Sequence, residues 1–401
     1  MVQTDYIHVP YGKTVHGEEE IEAVVNVLRT STQMGKNVRE MEERVAGLYN
    51  KKYGIMVNSG SSALYLAADL MNYEPGAEII TPPLTFSTTV APLVKKGWIP
   101  AYVDVEEGTY NIDANKVEEM ITPNTKAMVI PNLMGNLPNW AQLREIADKH
   151  NLFVLEDSAD TLGAEIDGKS SGRFTDMSTT SFYGSHIINC AGNGGMLCVN
   201  SDEFYNRGRL LRSWGRSSSL FVESEKIENR FNVDIDGIPY DAKFVFEEPG
   251  YNIEPSELGA AFGIVQLNKL GANIDTRTSH YNRMREFFTQ YEEFFILPKQ
   301  LPNSRTAWLA FATTLRETAP FIRRDMQIFL EKRNIMTRTV FTGNILRQPG
   351  FKHLPSKTAK AGYPEADRVM RGGMLLACHH GLNDAQISHV MESVTEFMKS
   401  I

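Results

Sequence analysis

Cysteine is scarce in this chain. Cys190, Cys198 and Cys378 are the only thiols in 401 residues, and their spacing matches no metal-ligand pattern. A disulfide framework is therefore not expected, nor a metal site. Long hydrophobic runs are also lacking: no uninterrupted apolar stretch approaches membrane-span length, and Met1 to Gly17 is too polar for a secretory signal. Positive charge is in deficit, with 41 Lys and Arg against 49 Asp and Glu and a net charge of -8. That balance argues against nonspecific attachment to nucleic acid or anionic membranes. No internal repeat or low-complexity tract interrupts the chain. What remains is a cytoplasmic globular enzyme. Its 42% apolar and 22% charged residues are ordinary for one, and its length favours more than one domain.

What is present alternates. Helical spacing is read over Glu18 to Leu28 and Val38 to Tyr49. A short apolar run at Tyr53 to Val57 ends in Asn58-Ser59-Gly60-Ser61-Ser62, and a helix is expected over Ala63 to Met71. Further strands are expected at Glu78 to Thr81, Pro100 to Val105, Ala127 to Pro131, Leu152 to Glu156, Thr179 to Phe182 and Gly195 to Val199. Helices fall at Ala141 to Lys149, Asp202 to Trp214, Glu257 to Leu270 and Asn273 to Tyr291. Strands alternating with helices imply an α/β layer with a largely parallel sheet. A smaller C-terminal unit begins near Pro298, with a strand at Trp308 to Leu315 and helices at Ile322 to Lys332 and Asp384 to Met398. The polar stretch Ser217 to Asp241 is read as a long functional loop.

Several residues invite chemistry. Ser59 to Ser62, between a strand and a helix, is either a phosphate cradle of backbone amides or simply a helix cap. Glu156-Asp157-Ser158-Ala159-Asp160 ends a strand, where open α/β sheets bind ligands. A carboxylate there either pairs with a ligand nitrogen or is a solvated, capping acid. His186 lies between Ser181 and the turn Gly192-Asn193-Gly194-Gly195, and imidazole moves protons near neutral pH. His379 and His380 are adjacent, so in a strand one reaches a ligand while the other packs.

In sequence order these segments, with Phe86-Ser87-Thr88-Thr89 and Gly250-Tyr251-Asn252, resemble the DegT/DnrJ/EryC1 aminotransferase-like family from about Gly17 to the C-terminus. The resemblance implies the fold type I architecture of pyridoxal phosphate (PLP) enzymes: an extended segment at 1–16, a large cofactor domain at 17–272 and a smaller α+β domain at 273–401. It implies that Gly60, Ser61 and Ser181 hold the cofactor phosphate, that Phe86 stacks on the pyridine ring, and that Asp157 pairs with the ring nitrogen. Asp160 would lie near the phenolic oxygen, where aminotransferases carry Gln or His. Asn252 would reach the cofactor of a neighbouring subunit, which implies a homodimer with shared sites.

His186 stands where this family places its cofactor-binding lysine. That exchange is similar to the sugar 3-dehydratases of the family, which use pyridoxamine phosphate. Their substrates are nucleotide-linked 4-keto-6-deoxy sugars, GDP-4-keto-6-deoxymannose among them, and L-glutamate is the amino donor. After Trp214-Gly215-Arg216 the chain reads Ser217-Ser218-Ser219, without the cysteines of the iron–sulfur type. Neither an iron–sulfur cluster nor a reductase partner is expected. The resemblance makes His186 the catalytic base and Arg216, Arg338 and Asn344 candidate substrate ligands. Alternatives are a dehydratase of another sugar such as a heptose, an aminotransferase with an unanchored cofactor, or an inert homologue. Asn193 replaces the family's usual acid.

Overall fold

The computed structural model describes residues 6–221 and 226–401. Its centre is a seven-stranded sheet. The strand order is Tyr53–Val57, Gly195–Val199, Met177–Ser181, Phe153–Ser158, Thr125–Pro131, Glu78–Thr81 and Ile99–Tyr102. Neighbours from Met177–Ser181 to Ile99–Tyr102 pair in parallel, while Gly195–Val199 runs antiparallel to both of its neighbours. The expected largely parallel α/β sheet is therefore present.

Nearly continuous apolar strands can be buried on both faces, and alternation divides their side chains between two cores. Ile55, Val57, Leu155 and Leu197 turn to one face, against Ala63, Leu66 and Ala67 of the helix Gly60–Met71. Met56, Met196 and Cys198 turn to the other, against Met41 and Val45 of the helix Lys36–Leu48. The three cysteines are buried and free. Among the described residues, no helix is long and apolar enough to cross a membrane.

A second, antiparallel sheet has the order Phe295–Ile296, Ala310–Leu315, Gly373–Ala377, Arg338–Thr339. Its core includes Phe288 of the 20-residue helix Leu270–Thr289 and Phe397 of the helix Asp384–Lys399. The chain start joins this unit through a parallel bridge between Val9 and Ile335. The beginning of the segment expected at 1–16, residues 1–5, lies outside the described residues.

Three expectations need correction. The stretch Ser217 to Asp241 is not one long loop. It holds a 3-10 turn at Ser217–Leu220, a helical turn at Ile227–Arg230 and a hairpin of Val233–Ile235 with Ile238–Tyr240; residues 222–225 lie outside the described set. The hairpin follows from Asp236-Gly237, whose φ values of 52° and 84° suit a two-residue turn. The helix Ser87–Lys95 was not anticipated, because Pro92 lies inside it and Ser, Thr and Val dominate its start. The strand expected from Trp308 begins only at Ala310, since Trp308 has a φ of 33° that no strand accommodates.

Candidate active site

Loops at the carboxyl ends of four same-direction strands, Tyr53–Val57, Glu78–Thr81, Phe153–Ser158 and Met177–Ser181, converge on one cavity of about 430 Å³. It brings together Gly60, Ser61, Phe86, Asp157, Asp160, Ser181 and His186, seven of the residues singled out from the sequence. Tyr11, Tyr183, Asn193 and Phe341 also line it.

The helix-cap reading of Ser59 to Ser62 holds at Ser59. Ser59 caps the helix, its Oγ accepting from the Ser62 amide at 3.1 Å. Gly60 begins the helix so close to Ser181 that an added Cβ would stand 2.6 Å from the serine Cβ. The Ser62 and Ala63 amides are taken by Ser59, which leaves those of Gly60 and Ser61 beside the Ser181 side chain, and a helix N-terminus of this kind attracts an anion.

Asp157 leaves the end of the strand Phe153–Ser158 and is buried. Thr89 Oγ1 donates to its Oδ2 at 2.7 Å and the Ala159 amide to its Oδ1 at 3.1 Å. Burial raises its pKa against the pull of these two bonds. A buried carboxylate in that state gains by meeting a protonated nitrogen. Glu156, its neighbour, faces away and serves structure: it is fully buried and accepts from Ser158, Ser171, Ser178 and Asn132. Asp160 accepts from the Met134 amide at 2.8 Å, and burial carries its pKa to about 7 despite that bond, with Asp157 adding to the rise.

His186 occupies a turn after the strand Met177–Ser181, with the Tyr183 ring edge-on at 5.7 Å between centroids. Its Nδ1 is buried without a hydrogen-bond partner. Burial lowers its pKa to about 4, and the positive charge of Arg277 adds to the effect. The backbone at Ser181 and Ala159 opposes the shift, although neither makes a hydrogen bond to Nδ1 in this geometry. The imidazole is therefore neutral at pH 7, the form able to accept a proton.

The other candidates lie outside the cavity. Asn252 is exposed and pairs with Ser213 through a backbone bridge. Arg216 lies over the Trp214 ring at 4.2 Å, its Nε without a partner. Arg338 is exposed but sits 5.4 Å from the ring of Tyr11, which does line the cavity. Asn344 is buried, caps a turn by accepting from the Leu346 amide and donates to Asp367 Oδ1 at 2.8 Å. Neither His379 nor His380 lines the cavity; His379 Nε2 meets the Pro10 carbonyl and His380 Nδ1 accepts from Arg277. Thr89, which bonds Asp157, and Tyr11, which lines the cavity, are neighbours that sequence reading missed. Thr89 stood in a quoted motif without a role, and nothing around Tyr11 in the sequence signals its position.

These residues fit a phosphorylated pyridine. The bare amides and serine hydroxyl suit a phosphate, the buried carboxylate suits a ring nitrogen, and Phe86 offers an exposed aromatic face. No lysine is among the residues lining the cavity, so none of them could anchor an aldehyde as an imine.

Known proteins resemble this chain in sequence and fold. The chain is 33% identical over 400 residues to the dTDP-4-dehydro-2,6-dideoxy-D-glucose 3-dehydratase of Saccharopolyspora spinosa, covering 97% of this chain and 86% of that one. It is 30% identical to the GDP-4-keto-6-deoxy-D-mannose 3-dehydratase of Yersinia pseudotuberculosis, over 93% and 94% of the two chains. The solved Escherichia coli GDP-4-keto-6-deoxy-D-mannose 3-dehydratase with bound hydrated PLP superposes with a TM-score of 0.88 at 27% identity, covering 97% and 99%. The fold is thus that of the fold type I PLP enzymes. Residues 14–395 match the family model, and the chain belongs to the DegT/DnrJ/EryC1/StrS aminotransferase family, whose typical cofactor is PLP.

Proposed function

We propose that this enzyme removes the 3-hydroxyl of a nucleotide-linked 4-keto-6-deoxy sugar, using a B6 cofactor that is never covalently held. The observation that carries the reading is His186, which lines the cavity with its Nδ1 unpartnered and stands, by the resemblance, where the aminotransferases have lysine. When bound, the cofactor supplies an amine for the carbon-4 ketone and a ring that accepts electron density. Gly60, Ser61 and Ser181 bind its phosphate, Phe86 covers the ring face, and Asp157 keeps the ring nitrogen protonated. Asp160, with a pKa near 7, holds or shares a proton beside the phenolic oxygen. His186 takes a proton from carbon and returns it to the departing hydroxyl. Overall, the keto sugar and L-glutamate become the 3-deoxy keto sugar, 2-oxoglutarate and ammonia, which balances all atoms.

A homodimer with shared sites is part of the proposal. None of the cavity-lining residues is Lys or Arg, although the cofactor phosphate, a nucleotide and glutamate are all anionic. Exposed Phe231, Phe244, Phe246 and Tyr251 cluster in sequence beside Arg216 and Asn252 and suit burial against a second copy. That copy would bring Asn252 to the cofactor, and Arg216 and Arg338 to the nucleotide pyrophosphate.

The relatives named as 3-dehydratases are named for 4-keto sugars, GDP-linked in two and dTDP-linked in one. The test is incubation with cofactor, glutamate and either GDP-4-keto-6-deoxymannose or the dTDP-linked 2,6-dideoxy sugar. A 3-deoxy product with equimolar ammonia is expected from one of them. An amino sugar would replace this reading with transamination, and no turnover of any keto sugar would favour an inert homologue.

A further inference from the structure

Arg277 is fully buried in the middle of the helix Leu270–Thr289, yet among the described residues it forms no salt bridge. Its partners are all neutral. Nη1 donates to the carbonyls of Trp308 and Leu309 at 3.0 and 3.3 Å, Nη2 to the carbonyl of His186 at 3.1 Å, and Nε to His380 Nδ1 at 3.1 Å. A buried cation without a carboxylate is costly, and structure alone would be served better by an apolar side chain. The bond to His380 also requires that imidazole to present a lone pair, hence to be uncharged. Arg277 therefore joins three places far apart in sequence: the turn bearing His186, the Trp308-Leu309 segment, whose Leu309 lines the cavity, and His380 after the strand Gly373–Ala377.

We propose that Arg277 is a positioning residue. It fixes the His186 turn by its carbonyl, and its charge, directed by neutral His380, adds to burial in holding the imidazole ready to accept a proton. The proposal concerns the His186 environment and stands whether or not the sugar reaction is the one given above. The groups facing His186 are few. Tyr183 presents its ring edge, and Asp157, Asp160 and Tyr11 share the cavity. Around Arg277, Cys378 and Tyr11 bear on its charge, and His379 and His380 feel it in turn. Burial does most to keep His186 uncharged, and the charge of Arg277 acts in the same direction.

The test is the titration of His186 followed by NMR in full-length protein labelled at histidine nitrogen, the signal identified by its loss in His186→Asn. Two changes should each raise the His186 midpoint by about one pH unit or more, a tenfold change in proton affinity. Arg277→Met removes the charge, and His380→Asp gives the charge a carboxylate partner. Arg277→Lys retains the charge and should leave the midpoint near that of the unaltered protein, while the loss of the forked bonds lowers kcat more than it raises KM. If Arg277→Met fails to fold, His380→Asp still decides. A midpoint unmoved in folded His380→Asp, or lowered in either variant, overturns the proposal. The midpoint is read without any sugar substrate, so failure of the dehydratase reading would show separately, as absent turnover with the titration intact.

Discussion

Thr89 illustrates how much of a site rests on a residue with no chemistry of its own. Its hydroxyl donates to Asp157 Oδ2 in a buried setting, and hydrogen bonds to charged groups are worth about 1.5–3 kcal/mol. Thr89→Val should raise the Asp157 pKa further and weaken cofactor retention by roughly tenfold or more, as read by fluorescence titration with PLP. Unchanged affinity would detach Asp157 from the ring nitrogen. Gly60 is equally constrained, since a Cβ there would meet Ser181 at 2.6 Å. Gly60→Ala should cost about 1–3 kcal/mol of stability in denaturant unfolding and loosen the phosphate. His186, Asp157 and Ser181 were legible because each ends or follows a strand inside a recognisable run. Tyr11 and Arg277 were not. Arg277 reaches the His186 carbonyl across 91 residues of chain and Tyr11 joins the cavity from near the chain start, through packing that no local pattern records.

Elements were legible where burial and punctuation agree. Tyr53–Val57, Glu78–Thr81 and Gly195–Val199 were read to the residue because apolar runs there stop at Asn-Ser-Gly, Pro-Pro or Asn-Ser. Gly373–Ala377 escaped notice: its paired glycines suggest a turn, yet Gly373 pairs with Thr314 inside the sheet. Helix starts were read late, as with Gly60–Met71, because Ser and Gly in a first turn look like loop. The cap defines that start, and it can be tested. Ser59→Ala removes the acceptor for the Ser62 amide and should cost about 1 kcal/mol, measured as a shift in the unfolding midpoint. The helix Asp384–Lys399 offers a comparison remote from the cavity, since Asn383 and Gln386 form a reciprocal cap. Asn383→Ala should cost a similar amount while leaving PLP affinity unchanged. If it weakens PLP binding as much as Ser59→Ala does, the special place of the Gly60 helix is lost.

At the scale of the molecule, the join between the two sheets is rich in neutral histidine. His186 and His379 are lowered to about 4 and His380 to about 3, in each case chiefly by burial. Imidazoles depressed in the fold take up protons on unfolding, so stability present above pH 6.5 is lost as pH falls towards 4. Asp160 acts in the opposite sense: its pKa, raised to about 7, gives stability that is full below pH 3.8 and lost as pH rises through 7. Asp157, raised by burial, leans the same way. Three imidazoles outweigh two carboxyls in this window, so Tm should be lower at pH 5 than at pH 7; an equal or higher Tm would contradict the buried neutral cluster. The largely parallel α/β sheet was legible from strand–helix alternation, whereas the seam was not, because it is built from residues 9–11, 186, 277 and 379–380 at once. The central claim remains that a B6 group sits beside His186 without a covalent tether. Intact-mass measurement after borohydride treatment with PLP tests it most directly. The unaltered enzyme should bind PLP yet gain no mass, while His186→Lys should gain one PLP adduct, mapped to position 186. An adduct on another lysine of the unaltered enzyme, or none on the variant, would contradict the account.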